Sequence, residues 1–154
     1  MKIIITENQY EFLDKIENDL ISYNSKFNPN TKVLVIFKNN PKYSDLENLF
    51  EEYGYGFYFS EQNLIIIDGE IFLGDNGLTI NDLAFIEAHE VAHILLNHKG
   101  GRSSIDEIEA DLGAYLILKK HNMSTDRLVD EFYTRHGFEF DERLKDLFKI
   151  KKFF

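Results

Sequence analysis

Two histidines and a glutamate lie close together in the stretch from Ala88 to Leu96. His89 and His93 are four residues apart, and Glu90 directly follows the first histidine, which gives the pattern His-Glu-x-x-His. On an α-helix, at about 100° of rotation per residue, the two histidines lie roughly 40° apart around the axis, and Glu90 shares their side. Two imidazoles at this spacing can bind one metal ion, and the neighbouring carboxylate can serve as a general base. The stretch therefore predicts a metal-binding helix.

The residues around this motif predict that its helix is buried. Apolar side chains occupy every side of the helix from Leu83 to Leu96, which is typical of a helix in the interior of a protein. Buried imidazoles and carboxylates are costly unless they have strong partners, and a metal ion is such a partner. The alternative is a buried helix without a metal, whose histidines bond to backbone groups or carboxylates.

A second carboxylate motif follows in a helix predicted from about Ser104 to His121. Glu107 and Asp111 are four residues apart and share one face of that helix. A zinc ion bound by two histidines needs a third protein ligand, and the chain has no cysteine. We expect Glu107 to be this ligand, and Asp111 to accept the free ring N–H of a histidine ligand. The alternative role for Glu107 is a capping box with Ser104.

Other polar residues near these helices have less specific interpretations. His98 is one residue out of register for the third histidine of a metzincin motif, and a histidine is ordinarily favourable at a helix C-terminus. Asp106 and Glu109 are interpreted as part of a solvated face. A hydrolytic site also needs a donor for the oxyanion, and the sequence does not choose among four residues that could supply it: Tyr115, Tyr133, His136 and Arg102.

The hydrophobic periodicity predicts an α+β fold in which a small N-terminal sheet with helices precedes a helical half. A chain of 154 residues is one domain's worth, so we expect a single domain over residues 1–154. The predicted elements are, in chain order, a helix at about 7–24 capped at Thr6, a strand at 32–38, a helix from Ser44, a hairpin of 55–60 and 64–68, a further strand at 70–73, the motif helix from Thr79 or Asn81 to about His98, and helices at about 104–121, at about 125–136 and from near Asp141.

The composition limits the partners and the compartment. A formal net charge of −10 argues against general binding to nucleic-acid phosphates. The N-terminal stretch turns polar too soon for a signal peptide, and no apolar run is long enough to span a membrane. We therefore expect a cytoplasmic protein without a membrane or nucleic-acid partner.

The two motifs together resemble the ImmA/IrrE family of zinc peptidases and, more broadly, the gluzincins. The resemblance is carried by His89-Glu90-Val91-Ala92-His93, by the leucines and His98 behind it, and by Glu107-Ile108-Glu109-Ala110-Asp111. It covers about residues 55–120. It implies that His89, His93 and Glu107 bind Zn²⁺ and that Glu90 is the general base. It also implies that Asp111 contacts one of the zinc ligands without binding the ion itself. The step from His93 to Glu107 is shorter than in the family, which suggests a minimal zincin-like module, and no helix-turn-helix segment is evident.

The function that this resemblance implies is that of a hydrolase: a metalloprotease that cleaves a specific intracellular protein, such as a regulator or repressor. In such a cleft the substrate pairs as an extra strand along a sheet edge, and the strands at 55–60 and 64–68 are available. One alternative is a non-proteolytic regulatory or binding module that contains zinc and is related to phage or toxin–antitoxin proteins. Another is a helix pair without metal. The intact Glu90 favours the enzyme, because a module that only binds does not need a general base.

Overall fold

The computed structural model describes residues 7–36, 45, 48, 56–59, 61–69, 82–98 and 103–154. These residues form an α+β fold with a small sheet and a helical half, which confirms the predicted class. The elements are α1 (Glu7–Phe27), β1 (Lys32–Ile36), β2 (Gly56–Phe59), β3 (Leu64–Asp68), α2 (Leu83–Leu95), α3 (Ser104–Lys120), α4 (Asp126–His136), a 3-10 helix (Phe140–Arg143), α5 (Leu144–Ile150) and a 3-10 turn (Lys151–Phe153).

The sheet has the order β1-β3-β2. Strand β3 runs parallel to β1 and antiparallel to β2, which confirms the predicted hairpin. Its central residues Ile65, Ile66 and Ile67 are all buried, as expected of β-branched residues in a strand covered on both faces. Strand β3 is hydrogen-bonded to a neighbouring strand on both sides. The expectation that a substrate could pair with the strand at 64–68 is therefore wrong.

Helix α2 lies at the centre of the molecule, as its apolar sequence predicts. It packs against α1 on one side and α3 on the other. Ile16 and Leu20 of α1 and the inner face of β3 join it in one hydrophobic core. The buried residues of α2 include both histidines of the motif, which are thus placed where water does not compete for them.

Helices α2 and α3 approach each other closely because small residues line their contact. Ala88 and Ala92 on α2, and Ala110 and Ala114 on α3, are all fully buried in one hydrophobic core. At Gly113 an added Cβ would lie 2.8 Å from the Cβ of Ala92, so even a methyl group does not fit without movement. This close approach brings the carboxylates of α3 within reach of the histidines of α2.

Several predicted features differ from the structure or lie outside its described part. Helix α2 begins after Asp82, whose side chain makes no cap and instead accepts a hydrogen bond from Arg127 Nε at 2.9 Å. The caps expected at Thr79 or Asn81 lie outside the described residues. So do the cap at Thr6, nearly all of the helix after Ser44, and the strand at 70–73. In the described parts of the chain, no helix is long and apolar enough to cross a membrane.

Candidate metal centre

The polar side-chain ends of three residues on α2 and α3 form a compact group, called here the triangle. The Nε2 atoms of His89 and His93 are 3.1 Å apart. Glu107 closes the triangle, with Oε2 at 3.2 Å from His89 Nε2 and Oε1 at 3.1 Å from His93 Nε2. The structure thus brings together the three residues that the sequence predicts as ligands, and this group could hold a metal ion.

The triangle has the size that a tetrahedral metal ion requires. Bonds of about 2.0–2.1 Å at the tetrahedral angle separate two ligand atoms by about 3.3–3.4 Å, close to the sides of 3.1–3.2 Å seen here. Imidazole nitrogen and carboxylate oxygen suit several divalent transition metals, zinc among them. The residues therefore fit a metal ion.

Glu107 belongs to the triangle and does not cap its own helix. The cap of α3 is Ser103, whose Oγ accepts a hydrogen bond from the backbone N–H of Asp106 at 3.1 Å. The alternative that paired Ser104 with Glu107 in a capping box is therefore wrong. Hydrogen bonds from His89 and His93 outweigh the effect of burial and hold the pKa of Glu107 well below its usual range. Glu107 is thus a carboxylate at neutral pH, as a metal ligand must be.

His89 is held from behind by a buried network, called here the inner network, of Asp111, Arg135 and His136. His89 Nδ1 donates to Asp111 Oδ1 at 2.7 Å, so Nε2 is the ring nitrogen that faces the triangle and could bind a metal ion. The other oxygen of Asp111, Oδ2, lies 2.5 Å from His136 Nε2 and 3.1 Å from Arg135 Nε. Asp111 thus has the position expected of it and ties α3 to α4 as well.

The charges in and around the inner network shift the pKa values of His89 and Asp111. Burial opposes a charge on His89, but the carboxylate of Asp111 and the hydrogen bonds to Asp111 and Glu107 raise the pKa of His89 to about 9. Burial also opposes a charge on Asp111, but His89, His136 and Arg135 hold the pKa of Asp111 well below its usual range. Asp111 is therefore a carboxylate that only accepts. In the metal-free protein His89 keeps a proton that a metal ion would displace.

His93 is held by a second network, called here the outer network, of His98, Glu109 and Asp106. The Nδ1 atoms of His93 and His98 are 2.9 Å apart. On its other side, His98 Nε2 lies 3.3 Å from Glu109 Oε1 and 3.6 Å from Asp106 Oδ1. The interpretation of Asp106 and Glu109 as a purely solvated face is therefore wrong. Burial of the His93 ring is the largest effect on it and lowers the pKa of this histidine.

The end of α2 places His98 against His93. The helix stops at Leu95 and not, as predicted, near His98. Asn97 takes a left-handed conformation with φ of 57°, and the backbone N–H groups of Asn97 and His98 donate to Ile94 O and His93 O, both at 3.0 Å. This is the Schellman motif, in which the chain turns back over the last helical turn. The His98 ring is thereby folded onto the ring of His93.

Tyr58 of β2 is a site residue that the sequence analysis missed. Its ring stacks on that of His93, with centroids 4.8 Å apart and planes 14° from parallel. Its hydroxyl donates to the carbonyl oxygen of His98 at 2.8 Å. Tyr58 therefore contacts both His93 and His98. Nothing in the local sequence of β2 signals this contact, because it depends on how the sheet packs on α2.

Glu90 lies beside the triangle without belonging to it. Its side chain is fully buried, and its Oε1 would be 3.1 Å from a Cβ added at Gly56 of β2. The charge of Glu90 acts to raise the pKa of both His89 and His93, although burial prevails at His93. The carboxylate of Glu90 is therefore close to both rings, and the glycine opposite leaves room for it.

Glu87 is a second buried carboxyl group on α2 that the sequence analysis did not single out. It is fully buried, and neither of its oxygens has a hydrogen-bond partner in the part of the chain that the structure describes. Burial, and next the charge of Glu90, raise the pKa of Glu87 well above its usual value. Burial and the charge of Glu90 thus both favour the protonated form of Glu87. A glutamate within an otherwise apolar helix was the available signal.

The four residues considered as oxyanion donors have different positions. His136 lies at the site, but its Nε2 is bonded to Asp111 behind His89. Tyr115 packs its ring against Phe140, with centroids 4.7 Å apart, as a core aromatic does. Tyr133 is 55% exposed on α4, and Arg102 lies outside the described residues. Of the four, the described structure brings only His136 into contact with the networks around the triangle.

Comparisons with protein-family models, curated proteins and solved structures find no match to this chain. What the site can do is therefore inferred from its own residues. These residues are a triangle that could hold a metal ion, a buried carboxylate beside it, and a separate network behind each histidine.

Proposed function

We propose that the protein is a zinc-dependent endopeptidase that hydrolyses a peptide bond of a specific protein. The observation that carries this proposal is the position of Glu90, fully buried beside the three ligand atoms but not one of them. A site that only stores or senses a metal does not need a second carboxylate there. The resemblance of both motifs to the ImmA/IrrE peptidases supports the same function.

The residues of the triangle would hold the zinc ion through His89 Nε2, His93 Nε2 and a carboxylate oxygen of Glu107. When bound, zinc acts as a Lewis acid toward a carbonyl oxygen and makes a bound water more acidic. The Nδ1 atom of each histidine contacts a network on the side of the ring away from the triangle: that of His89 contacts Asp111, and that of His93 contacts His98. The ring nitrogens that face the metal are thereby set before it binds, so little ordering remains to oppose binding.

Glu90 acts as the general base and then as the acid. Its carboxylate accepts a proton from the attacking water and passes it to the amine that leaves. No bond between Glu90 and the metal is needed, and Gly56 leaves the carboxylate space beside the two rings. The burial of Glu90 excludes bulk water, which would otherwise compete for that proton.

The substrate is expected to approach from the side of Glu107. The side chain of Glu107 is 20% exposed, whereas those of His89 and His93 are each 1% exposed. Among the described residues, solvent therefore reaches the Glu107 side chain more than either histidine ring. A protein segment or peptide is the substrate class proposed, and the net charge of −10 disfavours a nucleic acid.

The proposal is tested with Glu90→Gln, which keeps the shape of the side chain and removes the base. The purified wild-type protein is expected to contain about one zinc ion per chain by elemental analysis and to cleave members of a peptide library, with products identified by mass spectrometry. Glu90→Gln should keep its zinc and lose at least about 100-fold in hydrolysis. Glu87→Gln is the matched control: because Glu87 is a buried glutamate on the same helix but does not belong to the triangle, this variant should keep both zinc and activity.

Each other outcome contradicts a definite part of the proposal. Loss of zinc in Glu90→Gln would make Glu90 a ligand. Undiminished cleavage by this variant would exclude Glu90 as the base. If the zinc-loaded wild-type protein cleaves nothing in the library, the protein is a regulatory module that keeps the metal without proteolysis.

A further inference from the structure

We propose that His98 is a positioning residue for the metal ligand His93, and that it does so as a neutral ring that accepts a hydrogen bond from His93 and donates one to Glu109. This inference rests on the proposed metal site of His89, His93 and Glu107. The juxtaposition that carries it is the 2.9 Å separation of the two Nδ1 atoms, on the side of the His93 ring away from the triangle.

The hydrogen bonds of the outer network can be satisfied in only one way when His93 binds a metal. A neutral imidazole has one N–H and one lone pair. If His93 gives the Nε2 lone pair to the metal, its hydrogen is on Nδ1 and donates to His98 Nδ1. The hydrogen of His98 is then on Nε2, which lies 3.3 Å from Glu109 Oε1. The contact between His93 and His98 and the contact between His98 and Glu109 then each have one donor and one acceptor.

The proposed role of His98 differs from the usual role of a histidine at the C-terminus of a helix. A histidine at a helix C-terminus ordinarily acts as a cation toward the helix dipole. A cationic His98 would carry hydrogens on both nitrogens and could not accept from His93. The 2.9 Å contact with a metal-binding His93 therefore requires a neutral His98.

The same arrangement decides what the group of His98, Asp106 and Glu109 does. Ligand atoms of these three residues lie within 4.8 Å of one another, as in a group that could hold a metal ion. Binding there would need the lone pair of His98 Nε2. Since that nitrogen carries the hydrogen when His93 binds its metal, the group holds a hydrogen bond and not a second ion.

The backbone and Tyr58 also hold His98 in this position. The His98 residue is 8% exposed. Its backbone N–H donates to His93 O at 3.0 Å, and its carbonyl oxygen accepts from the Tyr58 hydroxyl at 2.8 Å. Partners that fix the orientation of a histidine ligand in this way contribute to metal affinity, because less freedom is lost when the metal binds.

The first test determines directly which ring nitrogens of His93 and His98 carry hydrogens. Nitrogen-15 NMR of the histidine rings in the full, zinc-loaded protein should show the hydrogen on Nδ1 in His93 and on Nε2 in His98. A His98 ring with hydrogens on both nitrogens, or on Nδ1 alone, would overturn the inference while leaving the metal site intact. A protein that takes up no zinc would overturn both this inference and the proposed function.

The second test compares two replacements of His98. Glutamine can accept with Oε1 and donate with Nε2, whereas leucine can do neither. In chelator competition, His98→Leu should weaken zinc binding by about 10- to 100-fold, and His98→Gln should recover part of this loss. His121→Leu is the control, because His121 also follows a helix but packs its ring against Phe27. It should bind zinc as the wild type does.

Two results of the second test would contradict the inference. Wild-type affinity in His98→Leu would show that the contact with His93 has no effect on the metal. Loss of a second equivalent of zinc in that variant would make His98 a ligand of another ion. The NMR measurement needs no variant, so it decides the matter even if His98→Leu does not fold.

Discussion

The inner network holds His89 from within the protein, whereas the outer network holds His93 from the side that faces solvent. Asp111, the anchor of the inner network, is 1% exposed and bonds to residues of both α2 and α4. Glu109, the anchor of the outer network, has a side chain that is 35% exposed and bonds to His98. Two ligands from one helix turn are therefore supported by carboxylates in very different surroundings.

Because their anchors differ in burial, the two networks are expected to contribute differently to folding and to metal binding. A buried carboxylate with several partners leaves those partners uncompensated when it is removed, so its loss weakens the fold itself. A half-exposed carboxylate can be replaced by water, so its loss changes little besides the orientation of the ring that it contacts. We expect the inner network to support both the fold and the metal, and the outer network to act chiefly on the metal.

The largest effect should come from removing the anchor of the inner network. Asp111→Ala is expected to lower the free energy of unfolding of the metal-free protein by about 3–5 kcal/mol, because His89, Arg135 and His136 lose a buried acceptor. Glu109→Ala, the matched change in the outer network, should cost less than about 1 kcal/mol. Urea unfolding in the presence of a chelator measures both. Equal losses would show that the two networks do not differ as the burial of their anchors implies.

A smaller effect is expected where α2 and α3 touch. Gly113→Ala should lower the free energy of unfolding by about 1–3 kcal/mol, the usual cost of overpacking, although alanine favours the helix by about 1 kcal/mol over glycine. The cause is the contact at 2.8 Å with the Cβ of Ala92. Adding Ala92→Gly removes that Cβ and should recover part of the loss in thermal or urea unfolding. If the double variant is less stable than either single one, the Phe154 ring, whose Cζ would lie 2.5 Å from the new Cβ, is the limiting contact instead.

The smallest effect tests the turn that places the outer network. Asn97 is exposed and left-handed, with φ of 57°, so a substitution there acts through the backbone. Asn97→Val should lower the free energy of unfolding by about 1–2 kcal/mol and weaken zinc binding through His98. Asn97→Gly is the control, because glycine takes this conformation without strain. Should the valine variant bind zinc as tightly as the glycine variant, the turn does not govern the position of His98.

Local geometry explains which parts of the site the sequence by itself determined. The relative positions of His89, Glu90 and His93 follow from the helical repeat, and the shared face of Glu107 and Asp111 follows from the same repeat on the next helix. The burial of α2 follows from its apolar residues on every side. Such features depend only on neighbours along the chain, so they can be predicted before the elements are packed.

The tertiary structure alone decided which partner each ligand has. Asp111 meets His89 rather than His93 because small residues let α3 pack closely along α2 in one register. His98 meets His93 because the chain reverses at a left-handed Asn97, where the periodicity predicted continued helix. These contacts join residues from different elements, and their distances depend on packing that no local repeat encodes. The sequence therefore determined the ligand-bearing faces, and the packing of α2, α3 and β2 decided the networks behind them.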